Sequence, residues 1–140
     1  MSKEFSLEIL TPGRELLTTQ VSEVVLPAYD GERGILANHE DFIGLLGTGA
    51  VKIVQDGDDY WFMVSSGVYE VKGGAVTLYA ELAETADEVD PDAAEKQVKE
   101  LEQVFSKTSE FDPEKYPMQK LAFDRSRARL EVHHRTSKVH

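Results

Sequence analysis

There is no cysteine in this chain of 140 residues. Disulfide staples, thiolate zinc sites and a cysteine nucleophile are thereby excluded, and nothing in the sequence asks for an oxidising compartment. Nor is there an apolar run approaching the roughly 20 residues that a membrane-spanning helix requires. The start, Met1-Ser-Lys-Glu-Phe5, lacks the basic and apolar regions of a secretory signal, so cytoplasmic exposure is the expectation. Basic residues are outnumbered: 15 Lys and Arg face 26 Asp and Glu. The resulting formal net charge of −11 opposes a general affinity for nucleic acid or anionic lipid. Catalytic signatures are missing too. There is no Gly-x-Ser-x-Gly and no His-Glu-x-x-His, and His133, His134 and His140 all lie in the C-terminal tail.

What is present begins with a core. With 41% hydrophobic residues, the length fits one domain, or one domain with a small appendage. Up to about Glu84 the pattern is that of short strands with punctuation. Phe5 to Leu10 alternates apolar and polar residues, and Thr11-Pro-Gly13 turns the chain. Strand-like segments follow at Val21–Leu26, Gly34–Leu36, Phe42–Leu46, Val51–Val54, Tyr60–Val64, Val68–Val71 and Val76–Leu82. Asp56-Gly-Asp-Asp59 and Gly73-Gly74 are hairpin signals, because glycine reaches the positive φ of tight turns. Many short strands with close turns and no helix between them predict an antiparallel β-sandwich or barrel.

Near Val89 the period changes. Asp90 suits a helix N-cap and Pro91 the first helical position. Ala94, Val98, Leu101 and Phe105 then share one face, with Glu95 and Lys99 paired on the other, which predicts an amphipathic helix ending near Lys107. Ser106 to Pro117 reads as a linker. A second helix is predicted from about Met118 to His134, with Leu121, Ala128 and Val132 on one stripe and Met118 and Ala122 beside it. Two such helices make an antiparallel hairpin, and neither is long enough to be stable alone, so they must pack on something. The division predicted is a β-sandwich domain over 1–87 and a two-helix domain over 88–140. Charge divides the chain as well: Gln119–His140 carries +4 and the remainder −15, and a basic tip on an acidic body implies an acidic partner for the tip.

The stretch Asp30-Gly-Glu-Arg-Gly-Ile-Leu-Ala-Asn-His39 concentrates polar residues. No Gly-Lys-Ser/Thr follows Gly34 and no helix begins there, so it does not form a phosphate cradle. His39 has only Glu40 and Asp41 nearby, and neighbours on a strand point to opposite faces, which favours a turn with a satisfied histidine over a metal site. Tyr60, Trp61 and Phe62 read as large side chains for two faces of a sandwich rather than a base-stacking platform. Arg125 and Arg129, one helical turn apart, can meet one anion or one acidic partner, whereas a solvated helix face is the plain alternative.

Taken in order, Asp30–His39, Ser66-Gly-Val-Tyr-Glu-Val71, Val76-Thr-Leu-Tyr-Ala-Glu-Leu-Ala-Glu84 and then two helices closely resemble the epsilon subunit of bacterial F-type ATP synthase. The resemblance covers essentially the whole chain. It implies a non-catalytic rotor subunit of the central stalk in a proton- or sodium-translocating complex, peripheral on the cytoplasmic face of the cell (inner) membrane. The implied partners are the gamma subunit and c-ring for the sandwich, and the alpha and beta subunits of the catalytic head for the helices, with no nucleic acid. The helical hairpin would restrain ATP hydrolysis. Glu32, His39 and Phe42 would meet the c-ring, and Arg125, Arg127 and Arg129 an acidic segment of the head. After His39 the family commonly continues Ala-Pro, whereas Glu40-Asp41 follows here.

Some members of that family bind ATP through an Ile/Leu-Asp-x-x-Arg-Ala motif on the first helix and two arginines on the second. Here the first reads Val89-Asp90-Pro-Asp-Ala93-Ala94, so Asp90, Arg125 and Arg129 remain but the motif arginine is Ala93. Losing that charge-assisted hydrogen bond removes on the order of 1.5–3 kcal/mol, and the resemblance implies no cofactor, with ATP as a regulatory ligand not favoured. Two other readings stand beside the rotor subunit: a free-standing β-sandwich that binds a small ligand under its helical hairpin, and, ranked last, an enzyme.

Overall fold

The structure, a computed structural model, describes residues 3–107 and 115–139. Seven strands come first: β1 (Phe5–Thr11), β2 (Arg14–Val21), β3 (Glu23–Ala28), β4 (Gly31–Leu36), β5 (Phe42–Gln55), β6 (Asp58–Lys72) and β7 (Ala75–Thr85). They hydrogen-bond in the order β2-β1-β7-β6-β5-β3-β4. Every pairing is antiparallel except that of β1 with β7, which is parallel. After a single 3-10 turn at Ala86–Glu88 come helices α1 (Pro91–Lys107) and α2 (Pro117–Val139). This is the expected β-sandwich followed by a helical hairpin.

Three long strands make the sandwich out of one sheet. In β5 the residues facing the core are Leu46 and then Val51 and Ile53; in β6 they are Val64 and then Tyr69 and Val71; in β7 they are Val76, Leu78 and Ala80 and then Ala83. Each strand changes parity once. The ladders are interrupted at one level, where Gly47 lies opposite Ser66 and Ser66 opposite Glu81, and the register is the same on both sides of the interruption. There each strand slips its own alternation by one residue, which exchanges its two faces, and three such slips side by side form a crease along which the sheet folds over its own core. Ser66 (φ 59) and Gly67 (φ 133) carry the crease on β6. In the sequence β5 and β6 each look like two strands, because Gly47, Gly49, Ser66 and Gly67 look like turns. No strand is expected between Arg14 and Gln20, where adjacent Leu16 and Leu17 hide the alternation of β2.

The main core, from Phe5 to Ala83, contains no helix residue. A second, smaller cluster joins Met63 of β6 to Val89, Ala128 and Val132, with Ala50, Trp61 and Leu82 packed around it. Thus α2 lies on the outer face of one half of the sandwich, over β5 and β6, and α1 packs on α2. Trp61 enters this outer cluster and Phe62 the inner core, as a strand with two covered faces requires, while Tyr60 stays half exposed.

Asp90 caps α1 as expected, its Oδ1 accepting from the Ala93 amide at 3.1 Å, and Lys99 pairs with Glu95 at 3.2 Å. Within the predicted linker, residues 108–114 lie outside the described residues; Ser106 belongs to α1 and Pro117 opens α2. The second helix continues five residues past His134. Met118, expected beside the apolar stripe, is 80% exposed; of that stripe Ala128 and Val132 are buried against the sheet, and Leu121 is half-buried. Phe105 and Phe123 meet edge to face at 5.4 Å and close the far end of the hairpin.

Candidate functional site: the face where the second helix meets the sandwich

The crease leaves Met63 and Ser65 of β6, Thr48 and Ala50 of β5, and Leu82 and Glu84 of β7 on the side covered by α2. Ser65 is fully buried there, its hydroxyl sharing a 2.9 Å hydrogen bond with Thr48 Oγ1. Arg125 of α2 donates from Nε to the same Ser65 Oγ at 2.7 Å and approaches Glu81 at 3.7 Å. One turn on, Arg129 donates from Nε and Nη2 to the two carboxylate oxygens of Glu84, each at 2.8 Å. The side chains of Arg129 and Glu84 are 24% and 19% exposed. A forked pair in such surroundings is shielded from screening, and its hydrogen bonds raise the affinity of the Arg129 guanidinium for its proton further above the ordinary value. Between the helices, Ser126, fully buried, hydrogen-bonds Gln97 of α1.

A solvated helix face was the plain alternative for the arginines of α2. Arg125 and Arg129 are instead clasped by the sandwich, because the creased sheet presents Ser65, Glu81 and Glu84 along the line where those two arginines descend. Arg127 points away, exposed, with its guanidinium 5.6 Å from the Phe123 ring centroid. Ser65, Glu81 and Glu84 carry no sequence signal of their own; Ser65 and Glu84 stand 60 and 45 residues from their arginines. The contrast between the +4 of Gln119–His140 and the −15 of the remainder was the available clue, since it demanded an acidic partner and the acidic body supplies one.

Beside this clasp, Glu84, Glu88 and Asp90 line a cleft of about 360 Å³ with Ala93 and Arg129. Three carboxylates face one guanidinium that is already paired, a lining that repels a polyphosphate. Glu88 also receives Arg14 at 2.8 Å and the Thr85 amide at 3.0 Å, and these bonds, Arg14 first, lower its pKa to about 2. Asp90 is occupied in capping α1.

The other predicted residues lie on β4 and the start of β5. Much of the polar stretch from Asp30 to His39 is strand rather than turn: Gly31–Leu36 pairs with β3, and Glu32 sits opposite Pro27 with its side chain exposed. His39 is satisfied locally, Nδ1 donating to the Glu40 carbonyl at 2.7 Å. Phe42 leans on Tyr69 at 5.8 Å, with the Arg33 guanidinium 5.0 Å from its ring centroid. Asp41 accepts from the Gly73 amide at 3.0 Å and so ties the start of β5 to the β6–β7 turn, a role the sequence reading did not assign. Among the described residues there is no cluster of three or more His, Asp or Glu able to hold a metal ion.

On the outer face of the other half of the sandwich, Leu45, Val68 and Tyr79 stand opposite one another across β5, β6 and β7, with Ile43 beside them. All four are exposed, Ile43 to 69% and Leu45 to 58%. A contiguous apolar row of this kind marks an interaction face.

Residues 4–86 match the model of the ATP synthase delta/epsilon chain β-sandwich domain. The chain belongs to this ATP synthase delta/epsilon family. The ATP synthase epsilon chain of Nitratidesulfovibrio vulgaris is 42% identical over 96 residues, covering 69% of this chain and 72% of that one. That of Geotalea uraniireducens is 30% identical over 132 residues, 94% of this chain and 95% of that one, so the likeness to epsilon chains extends through both helices. Among solved structures, a chain of the Euglena gracilis mitochondrial ATP synthase has the same fold, with a TM-score of 0.76 at 21% identity over 92% of this chain and 80% of that one. Family membership agrees with the resemblance to epsilon subunits drawn from the ordered motifs. No helix among the described residues of this epsilon-type chain is long and apolar enough to cross a membrane.

Proposed function

We propose that this chain is the epsilon subunit of a bacterial F-type ATP synthase, a non-catalytic rotor component that couples the c-ring to gamma and restrains ATP hydrolysis through its helices. The observation that carries the regulatory half is the clasp on Arg125 and Arg129. With α2 down, both are held by Ser65, Glu81 and Glu84 and are withheld from any other partner. With α2 extended, they join Arg127 as a row of three cations for an acidic segment of the catalytic head. One set of arginines serving two acidic partners makes a two-state switch, since neither partner can be satisfied while the other is. The proposed division of labour is a sandwich over 1–87 and a regulatory hairpin over 88–140, on the cytoplasmic face of the cell membrane. ATP is not a ligand in this proposal, given the acidic cleft at Glu84, Glu88 and Asp90.

For the sandwich, the row Leu45, Val68 and Tyr79 is assigned to gamma, and Glu32, His39 and Phe42 to the c-ring. Changing Leu45 and Val68 together to aspartate tests the first assignment. Both are exposed, so the folded chain is expected to retain its thermal unfolding midpoint within a few degrees while losing binding to purified gamma by at least a hundredfold. Retained binding would remove gamma from that face. Glu32→Lys tests the second. An exposed charge change costs less than about 0.5 kcal/mol of stability, so the variant is expected to assemble normally but to lower ATP-driven ion pumping relative to ATP hydrolysis. An unchanged ratio would place the c-ring contact elsewhere.

A further inference from the structure

The four residues Asp58–Trp61 at the start of β6 have a strand on one edge only. On that side Gln55, Val54, Ile53 and Lys52 of β5 face them in register. On the other side β7 ends at Thr85, opposite Phe62, and among the described residues no strand continues past it. The sheet is therefore notched, and the notch holds about 530 Å³, lined by Asp58, Asp59, Tyr60 and Trp61 and by Asp87 and Thr136. Four extended residues need about 13 Å of strand edge, which this segment supplies. Alternate residues of an unpaired edge direct their amide and carbonyl groups outwards, where they can template another strand.

The chemistry of the notch is one-sided. Three carboxylates line it and no basic residue does. The aromatic surface already accepts a guanidinium: Arg135 of α2 lies 5.2 Å from the Trp61 ring centroid. Thr136, a lining residue, keeps its hydroxyl oxygen buried without a hydrogen-bond partner among the described residues. From these features together we infer that the β6 notch is a docking site for an extended, arginine-bearing peptide segment of a partner protein, which adds as a strand beside Asp58–Trp61. Main-chain hydrogen bonds would supply the binding, and Asp58, Asp59 and Asp87 would select basic side chains. The site lies apart from the arginine clasp, and α2 lends it Thr136 only while that helix is docked.

Trp61 is the only tryptophan in the chain, so its fluorescence reports the notch directly. An eight-residue peptide of alternating arginine and valine, titrated into the full chain, is expected to change that fluorescence saturably and to slow amide hydrogen exchange at residues 58–61. An alternating glutamate and valine peptide should do neither. The triple variant Asp58→Asn, Asp59→Asn, Asp87→Asn should bind the basic peptide at least tenfold more weakly. A basic peptide with N-methylated backbone amides should also bind the unaltered chain at least tenfold more weakly, because strand addition needs those donors. Equal binding of the methylated peptide, protection confined to other residues, or no saturable change would each overturn the proposal.

Discussion

An ATP synthase carrying Glu84→Gln in this subunit should hydrolyse ATP more slowly than the unaltered complex. The substitution keeps the shape of the side chain but removes the charge that accepts the Arg129 fork. Charge-assisted hydrogen bonds contribute about 1.5–3 kcal/mol each at most, and the pair still retains some solvent, so a loss of about 1–2 kcal/mol from the docked state is the reasonable scale. That corresponds to a roughly 5- to 30-fold shift of the helix equilibrium away from the sandwich. Released helices are the restraining ones, so hydrolysis falls. The variant alters no arginine, and the contact with the head stays available. Hydrolysis equal to or above that of the unaltered complex, with assembly confirmed, would contradict the partner exchange.

Arginine substitutions should separate by position. Arg127 is exposed and unclasped, so Arg127→Ala weakens the head contact alone and raises hydrolysis. Arg125→Ala and Arg129→Ala weaken both states, and their effects partly cancel. With all three replaced no contact with the head remains, hydrolysis should rise, and the salt sensitivity of the restraint should shrink, since screening acts on the interaction deleted.

The largest loss of stability is expected from Gly67→Ala. A Cβ at Gly67 would lie 1.9 Å from the Tyr79 carbonyl oxygen, a backbone atom of the neighbouring strand that cannot rotate aside, and φ is +133°. Strain of about 1–3 kcal/mol for the backbone conformation and about 1–3 kcal/mol for overpacking both apply, so a total near 3 kcal/mol or more is expected. Gly67 holds the crease on β6, and the crease decides which residues of β5, β6 and β7 face inward, so the lesion reaches the whole core. Gly13→Ala is the control: nothing lies within 4 Å of its added carbon. Denaturant unfolding would compare them, and a Gly67→Ala chain within about 1 kcal/mol of the unaltered one would show that the crease tolerates a side chain.

The crease also explains how far the sequence could be read. Hydrophobic alternation exposed the strands from Phe5 to Leu82, and Asp90-Pro91 announced α1 through capping chemistry that acts over three residues. Alternation failed where each long strand slips by one residue, because a slip inside a continuous strand and a turn between two strands leave the same local trace: a small residue and a change of parity. The arginines of α2 could be named from their spacing and charge. Their partners could not, since Glu84 and Ser65 look like ordinary outward residues until the fold places them under Arg129 and Arg125. Asp41 was opaque for the same reason, its partner being the Gly73 amide 32 residues later.

The most direct measurement of the central claim is ATP hydrolysis by the assembled complex with the full chain and with a chain ending after Val89. That end point keeps the Thr85–Glu88 capping box and the Arg14–Glu88 bond, and it leaves the main core from Phe5 to Ala83 intact. Removal of both helices is predicted to leave gamma binding unchanged and to raise hydrolysis severalfold. Hydrolysis that stays the same, in complexes shown to contain the shortened subunit, would contradict the account.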